Sequence, residues 1–339
     1  MLTTRLSVSS HNRFLTSQFA IAPDLVGSTH QFTLEGHNIK ISLPSKKHVP
    51  AEPLEGEFLS FVSYKEVDGK KLPTSLLVLS VEVEVQIPDR IHAPEEVLRR
   101  PPNAYDVMPA KKQKQLNQLA VIYGYIAEQA FDLWVRTLRW KSGDGSICRP
   151  KFTGYESGWA TYLIADSSRK KIWALHGSSH IPVAEKKVVT TSEIWKNVSQ
   201  ALQIGSFPPI HIELLFDGIE HMKLGDVQRG TLDLAMACEV YLRRLFTKSL
   251  PSALTKAVKK HLDETNIRSV RTRFIPELLN DEDRQSLVKI ESTLEKLFKM
   301  RNAIVHTGRS VGVGVDDFNK FLDATRKLFL VGNSDEKYR

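Results

Sequence analysis

The chain has 339 residues, enough for two domains, with 41% hydrophobic and 25% charged side chains. Those values exclude a disordered, collagenous or all-coiled-coil chain. The longest apolar runs, such as Leu76–Val81, fall far short of the roughly 20 residues of a membrane span. The net charge of +8, from 47 Lys and Arg against 39 Asp and Glu, favours polyanionic partners without singling one out.

The opening segment Met1–Phe14 has no apolar core of the kind a secretory leader carries, so a cytoplasmic location is expected. Cys148 and Cys238 make neither a disulfide framework nor a zinc site alone and read as reduced thiols. Residues 1–90 read as strands. His30–Leu43 alternates apolar and polar positions. The segment FVSYKEV, then Asp68-Gly69, then TSLLVLSVEVEVQIP predicts a hairpin with a long second strand. In Val81–Ile87 the apolar residues alternate with Glu82, Glu84 and Gln86, which predicts one buried and one wet face.

Pro101, Pro102 and Pro109 punctuate the chain before a predicted helix over Lys111–Trp140. Its inward positions are Leu116, Leu119, Ile122/Tyr123, Ile126, Ala130, Leu133/Trp134 and Leu138. GWATYLIAD and KKIWALHG read as a second strand pair, and Ser192–Leu202 as a short helix. Residues 1–205 therefore form an α+β domain, and Pro208-Pro209 is the candidate boundary.

Residues 208–332 are predicted to be an all-α bundle. Ile210–Met222 is amphipathic and stops at Gly225. Asp226 can cap a longer helix through about Lys248, with Leu234, Ala235, Cys238, Tyr241, Leu242, Leu245 and Phe246 on one stripe. Leu254, Ala257, Val258, His261 and Leu262 mark another stripe. Leu287, Ile290, Leu294, Leu297 and Phe298 mark the next, closed by Gly308. Asp316 and Asp317 are expected to cap the last, with Phe318, Phe321, Leu322, Thr325, Leu328 and Phe329 inward.

Within LEKLFKMRNAIVHTG stand Arg301, Asn302 and His306. An imidazole titrates near neutral pH and can take or give a proton. A guanidinium stays charged and grips phosphoryl oxygens through two donors. An amide can orient either partner. Together they suit RNA cleavage without a metal. His306 would activate the 2′-hydroxyl or protonate the leaving oxygen, and Arg301 would stabilise the charge that builds on the phosphate. Similar Arg-to-His spacings occur at Arg5…His11 and Arg169…His176, and chance supplies about two. The first falls in an expected N-terminal loop. The Asn beside Arg301 and the late position in an amphipathic helix set the third apart. Five residues along a helix turn through about 140°, so Arg301 and His306 of one chain diverge. A two-fold dimer could bring two such helices over one cleft.

The RNAIVH hexapeptide (Arg301–His306), the amphipathic helix before it and the segment GDVQRGTLDLAMACEVYLRRLF (Gly225–Phe246) resemble a HEPN domain. That resemblance spans roughly Pro208–Val331. It implies a dimer, metal-independent endoribonuclease activity with no cofactor, and a composite site in which Arg301, Asn302 and His306 match the motif. It also implies a place in phage defence or as a toxin, with an antitoxin or a trigger ligand as partner. Glu239 stands where related helices often carry an acidic residue, and it could equally support the bundle. Residues 1–205 are not covered by the resemblance. They would sense a trigger, restrain the nuclease or select RNA. The rival reading is a non-catalytic dimerisation or RNA-binding scaffold.

Blander readings stand beside each site residue. His306 could cap a helix end, and Arg301 could pair with Glu291 or Glu295. Arg268, Arg271 and Arg273 fall in an expected loop, NIRSVRTRF, which could grip an RNA backbone or merely be solvated. Lys256, Lys259 and Lys260 read as a wet helix face. Trp134, Trp140, Trp159, Trp173 and Trp195 read as core rather than as base-stacking platforms. HGSSH (His176–His180) lacks an acidic partner for a metal, and the glycines of VGVGV lack the context of a phosphate loop.

Overall fold

A computed structural model describes residues 3–45, 59–67, 70–88, 90–94, 110–145, 147, 160–165, 170–176, 188–250, 260, 264–307 and 312–332. The chain divides into two compact units, Met1–Phe207 and Pro208–Arg339.

The first unit is built on an antiparallel sheet. Its strands are β1 (Thr3–Leu6), β2 (Val8–Ile21), β3 (Thr29–Leu34), β4 (His37–Ser42), β5 (Leu59–Val67), β6 (Lys70–Gln86), β7 (Ile91–Pro94), β8 (Ala160–Ala165), β9 (Lys170–His176) and β10 (Val189–Thr190). The main sheet runs β3-β4-β6-β2-β8-β9, with β5 on β6, and β10 joining β2 in parallel; β1 and β7 pair separately. The stretch His30–Leu43 resolves into a β3–β4 hairpin. Its two-residue turn has Glu35 at φ 49° and Gly36 at φ 81°, the left-handed pair that matches strand twist. β5 and β6 form the expected hairpin, paired from Val67 opposite Lys70; its Asp-Gly turn lies outside the described residues.

The expected alternation in β6 is present. Val81, Val83, Val85 and Ile87 are buried, Glu82 and Glu84 are half-buried, and Gln86 is exposed. Helix α1 (Ala110–Ser142) covers the buried face, and α2 (Ser192–Gln203) packs on α1 and β3. Phe14 stacks on Phe131 with ring centroids 4.8 Å apart. Ile122, left open against Tyr123 in the sequence, is exposed, and Tyr123 carries the burial. Between Leu15 and Phe19 the β2–β6 register shifts, and the inward residues change parity from Phe14 to Phe19.

The N-terminal loop expected around Arg5…His11 is not observed: Arg5 lies in β1 and His11 in β2. On the sheet face away from Phe14, Ser9 Oγ and His11 Nε2 lie 3.0 Å apart, and His11 Nδ1 lies 2.8 Å from Glu82 Oε1. The order resembles a nucleophile, a base and an acid. Over Ser9, however, β2 is paired on both sides, so its backbone N–H groups serve the ladder rather than an oxyanion. The chain satisfies polar groups buried on that face.

The second unit is helical. It contains α3 (Ile210–Lys223), α4 (Val227–Ser249), two single turns α5 (Ile267–Ser269) and α6 (Ile275–Leu278) flanking a π-helical stretch Val270–Phe274, then α7 (Asp281–Thr307) and α8 (Val315–Leu328). Asp226 caps α4 as expected, its Oδ1 accepting from the Arg229 N–H at 3.0 Å. All seven residues of the α4 stripe are buried. Cys238 among them has a thiol pushed up to about 12 by burial, which keeps it inert. Helices α3 and α4 approach closely where glycines face each other: a Cβ on Gly230 would lie 2.7 Å from the Gly218 carbonyl oxygen. Asp316 and Asp317 do not cap α8. Gly314 holds that position, and the two carboxylates occupy the first turn, where the helix dipole favours them. The stripe at Leu254–Leu262 and the expected stop at Gly308 lie outside the described residues.

Candidate functional site

The segment NIRSVRTRF is helical rather than a loop. Asn266 starts it, its Oδ1 accepting from the Arg268 N–H at 2.8 Å. Pro276 has no N–H to donate back along the helix, and the Ile275 N–H reaches Val270 O, five residues earlier. The turn widens into the π form, a feature found often at functional sites. Val270 and Ile275 anchor it in the core.

This corrects the reading of Arg271 as solvated. Its side chain is 4% exposed. Nε lies 3.0 Å from Glu291 Oε1 of α7, and the guanidinium carbon lies 5.3 Å from the centroid of the Phe298 ring. Neither Nε nor Nη1 has a hydrogen-bond partner among the described residues, so the contact with Glu291 is an ion pair without hydrogen-bond geometry. Burial raises the Glu291 carboxyl above its ordinary range, against the opposing pull of Arg271.

Beside Arg271 is a cavity of about 210 Å³. Five sequence-predicted site residues line it: Glu239 from α4, Arg268 and Arg271 from the π-containing segment, and Arg301 and Asn302 from α7. Lys299 and Glu295, absent from the predicted set, also line it, and Phe298 supplies apolar wall. Arg273 is exposed and is not part of the wall.

Arg301 does not pair with Glu291 or Glu295 as one reading of the sequence allowed. Arg301 Nη1 donates to Asn302 Oδ1 at 3.0 Å, and Glu291 is taken by Arg271. Glu295 pairs with Lys299 at 3.0 Å, and that hydrogen bond holds its carboxyl below the usual range. Glu239 accepts from Nε and Nη2 of Arg243, both at 3.2 Å. Its carboxylate is thus already engaged one turn along α4.

His306 is exposed and does not line the cavity. It nevertheless continues the cavity-facing stripe of α7. Glu295, Lys299, Asn302 and His306 follow at spacings of four, three and four, which is one helix face. His306 therefore stands one turn, about 6 Å, beyond Asn302 along the axis. Arg301 flanks the stripe.

Sequence reasoning missed a carboxylate–imidazole pair in this unit. His221 Nδ1 lies 2.6 Å from Asp233 Oδ2, joining α3 to α4 near the glycine contact. The histidine at the end of α3 and the aspartate on α4 carry no local pattern that announces their meeting. Among the described residues no group of three or more His, Cys, Asp or Glu is placed to hold a metal ion, and no helix is long and apolar enough to cross a membrane. Trp134 and Trp195 are core and meet edge to face, with centroids 6.2 Å apart, whereas Trp140 is half-buried with Lys141 Nζ 3.4 Å from a ring centroid. No protein-family profile matches the chain, and neither a curated protein nor a solved structure matches it.

Proposed function

We propose that the helical unit is a HEPN-like, metal-independent endoribonuclease that works as a dimer. The observation that carries the reading is the shared cavity: Glu239, Arg268, Arg271, Arg301 and Asn302 come from three separate stretches of sequence and line one space. Cationic side chains around a cavity favour a phosphate, which dominates affinity for nucleic acid. His306 sits one turn further along the same face of α7, exposed, where it can exchange protons with a substrate laid across the cavity mouth. His306 would take the proton of the 2′-hydroxyl or give one to the leaving oxygen. Arg301 would stabilise the charge growing on the phosphate. Because Arg301 flanks the stripe that ends in His306, a second chain would supply one of the two groups at each scissile bond. A role in defence or as a toxin, with a trigger or antitoxin as partner, follows from the resemblance to HEPN proteins; the first unit, outside that resemblance, would sense the trigger, restrain the nuclease or select RNA.

One observation favours a second reading, a scaffold that binds RNA without cutting it: the imidazole is not in the cavity wall. The two separate by a single comparison. In the nuclease, His306→Ala abolishes RNA cleavage with binding and thermal stability retained. Cleavage by the parent persists in EDTA and leaves 2′,3′-cyclic phosphate ends. Binding with no cleavage by the parent establishes the scaffold. Cleavage by His306→Ala at the parental rate removes His306 from the chemistry.

A further inference from the structure

The buried guanidinium of Arg271 is only partly used by the protein. Its Nε lies 3.0 Å from a Glu291 carboxylate oxygen as an ion pair, but neither Nε nor Nη1, in a side chain 4% exposed, has a hydrogen-bond partner among the described residues. A buried cation short of acceptors costs free energy, which an anion held in the neighbouring cavity would offset. The wall around it is positive. Four cations, Arg268, Arg271, Lys299 and Arg301, stand against two carboxylates, Glu239 and Glu295. Both carboxylates are already engaged, by Arg243 and Lys299. Arg268 and Arg301 make no ion pair among the described residues.

An excess of two positive charges fits a dianion better than the single charge of an internal phosphodiester. A phosphomonoester carries about −1.5 to −2 at neutral pH and offers three acceptor oxygens. The volume agrees. About 210 Å³ is several times the roughly 30 Å³ that a water occupies in the liquid. A phosphoryl group and part of its sugar fit. We propose that this cavity is a phosphomonoester-binding site seated on Arg271, with Arg268 as its outer clamp. It is complete within one chain and lies one turn of α7 away from His306. The inference deepens the nuclease reading, because the wall is shared: RNA would be anchored by a terminal phosphate in the cavity while a bond further along lies at His306. The same chemistry could come from a free nucleoside monophosphate.

The test is binding by the full-length His306→Ala protein, which removes cleavage as a complication. The probes are adenosine, 5′-AMP, and one short oligoribonucleotide with either a 5′-phosphate or a 5′-hydroxyl. The expected result is at least tenfold tighter binding of the phosphorylated member of one pair or both. A preference confined to the oligonucleotides identifies an RNA end; a preference for 5′-AMP over adenosine identifies a free nucleotide. Arg268→Ala, on the exposed side of the wall, weakens that preference at least tenfold. Arg271→Lys, which keeps the charge and loses the second donor arm, does the same with the fold retained by circular dichroism. Equal binding within both pairs, or a preference untouched by Arg268→Ala, overturns the site. Cleavage by the parent is measured separately. A phosphate preference without cleavage keeps the site and removes the nuclease; cleavage without a phosphate preference does the reverse.

Discussion

Arg271 of the π-helical stretch and Glu291 of α7 form an ion pair, with Nε 3.0 Å from Oε1, at the inner wall of the cavity. The pair is asymmetric. Arg271 is almost wholly buried, whereas Glu291 keeps 33% of its side chain in water. Removing the carboxylate therefore leaves a buried guanidinium without its counter-charge. Glu291→Gln should destabilise the helical unit by about 1–2 kcal/mol. That is less than the loss of a fully buried partner, because water already screens the glutamate. The same substitution removes a negative charge beside the wall, so phosphate affinity should rise as stability falls. Chemical denaturation and phosphate titration of one variant check both directions.

In the first unit, His30 lies between two tryptophans. Trp134 Nε1 donates to His30 Nδ1 at 2.9 Å, and His30 Nε2 lies 3.0 Å from the Trp195 carbonyl oxygen. An indole N–H can only donate and a carbonyl can only accept, so the ring is neutral with its proton on Nε2. Burial holds its pKa down to about 4 from an ordinary 6.5, against the opposing effect of the Trp195 carbonyl. The unfolded chain takes up this proton near pH 6.5 and the folded chain only near pH 4. Between those values the unfolded state binds more protons. The contribution of His30 to stability is therefore complete above pH 6.5 and falls away as pH drops toward 4, by about 3 kcal/mol in all. All five tryptophans lie in residues 1–207, so urea unfolding followed by their fluorescence reports on this unit. His30→Gln should flatten the acid limb of that curve.

The contact between α3 and α4 depends on two hydrogens in place of side chains. A methyl on Gly230 would meet the Gly218 carbonyl oxygen at 2.7 Å and Phe318 Cε2 at 2.9 Å. The first neighbour is backbone and cannot rotate away. Gly230→Ala should cost about 1–3 kcal/mol through overpacking. Gly312→Ala, where nothing among the described residues lies within 4 Å, should change stability by less than about 0.5 kcal/mol. Thermal unfolding followed by helical ellipticity compares the two.

Much of the secondary structure was legible because one side of each element is apolar. The alternation in Val81–Ile87, the α4 stripe and the Asp226 cap follow from local spacing, which neighbours elsewhere in the chain do not alter. The failures have equally local causes. The start of β2 reads as a loop because Ser9, Ser10, His11 and Asn12 are buried polar residues, and the shift after Leu15 breaks the alternation further along. NIRSVRTRF looked like a loop because Asn, Ser and Thr disfavour helix interiors. Its Ile267, Val270 and Phe274 follow helical spacing, and packing of Val270 and Ile275 overrides the weak propensity.

The candidate site divides along the same line. The residue types, the Arg301-Asn302 pair and the spacing to His306 are properties of the chain, and they suffice to nominate phosphate chemistry. Which of them share a space is not. Glu239, Arg268 and Arg301 are separated by tens of residues, and only the packing of α4, the π-helical segment and α7 brings them to one cavity. Packing also turned Arg271 from a solvated charge into a buried donor, left Arg273 in water and set His306 one turn past the wall. Local spacing governs which way a side chain points along its own helix. Burial, pairing and the company a charge keeps depend on what other segments press against it.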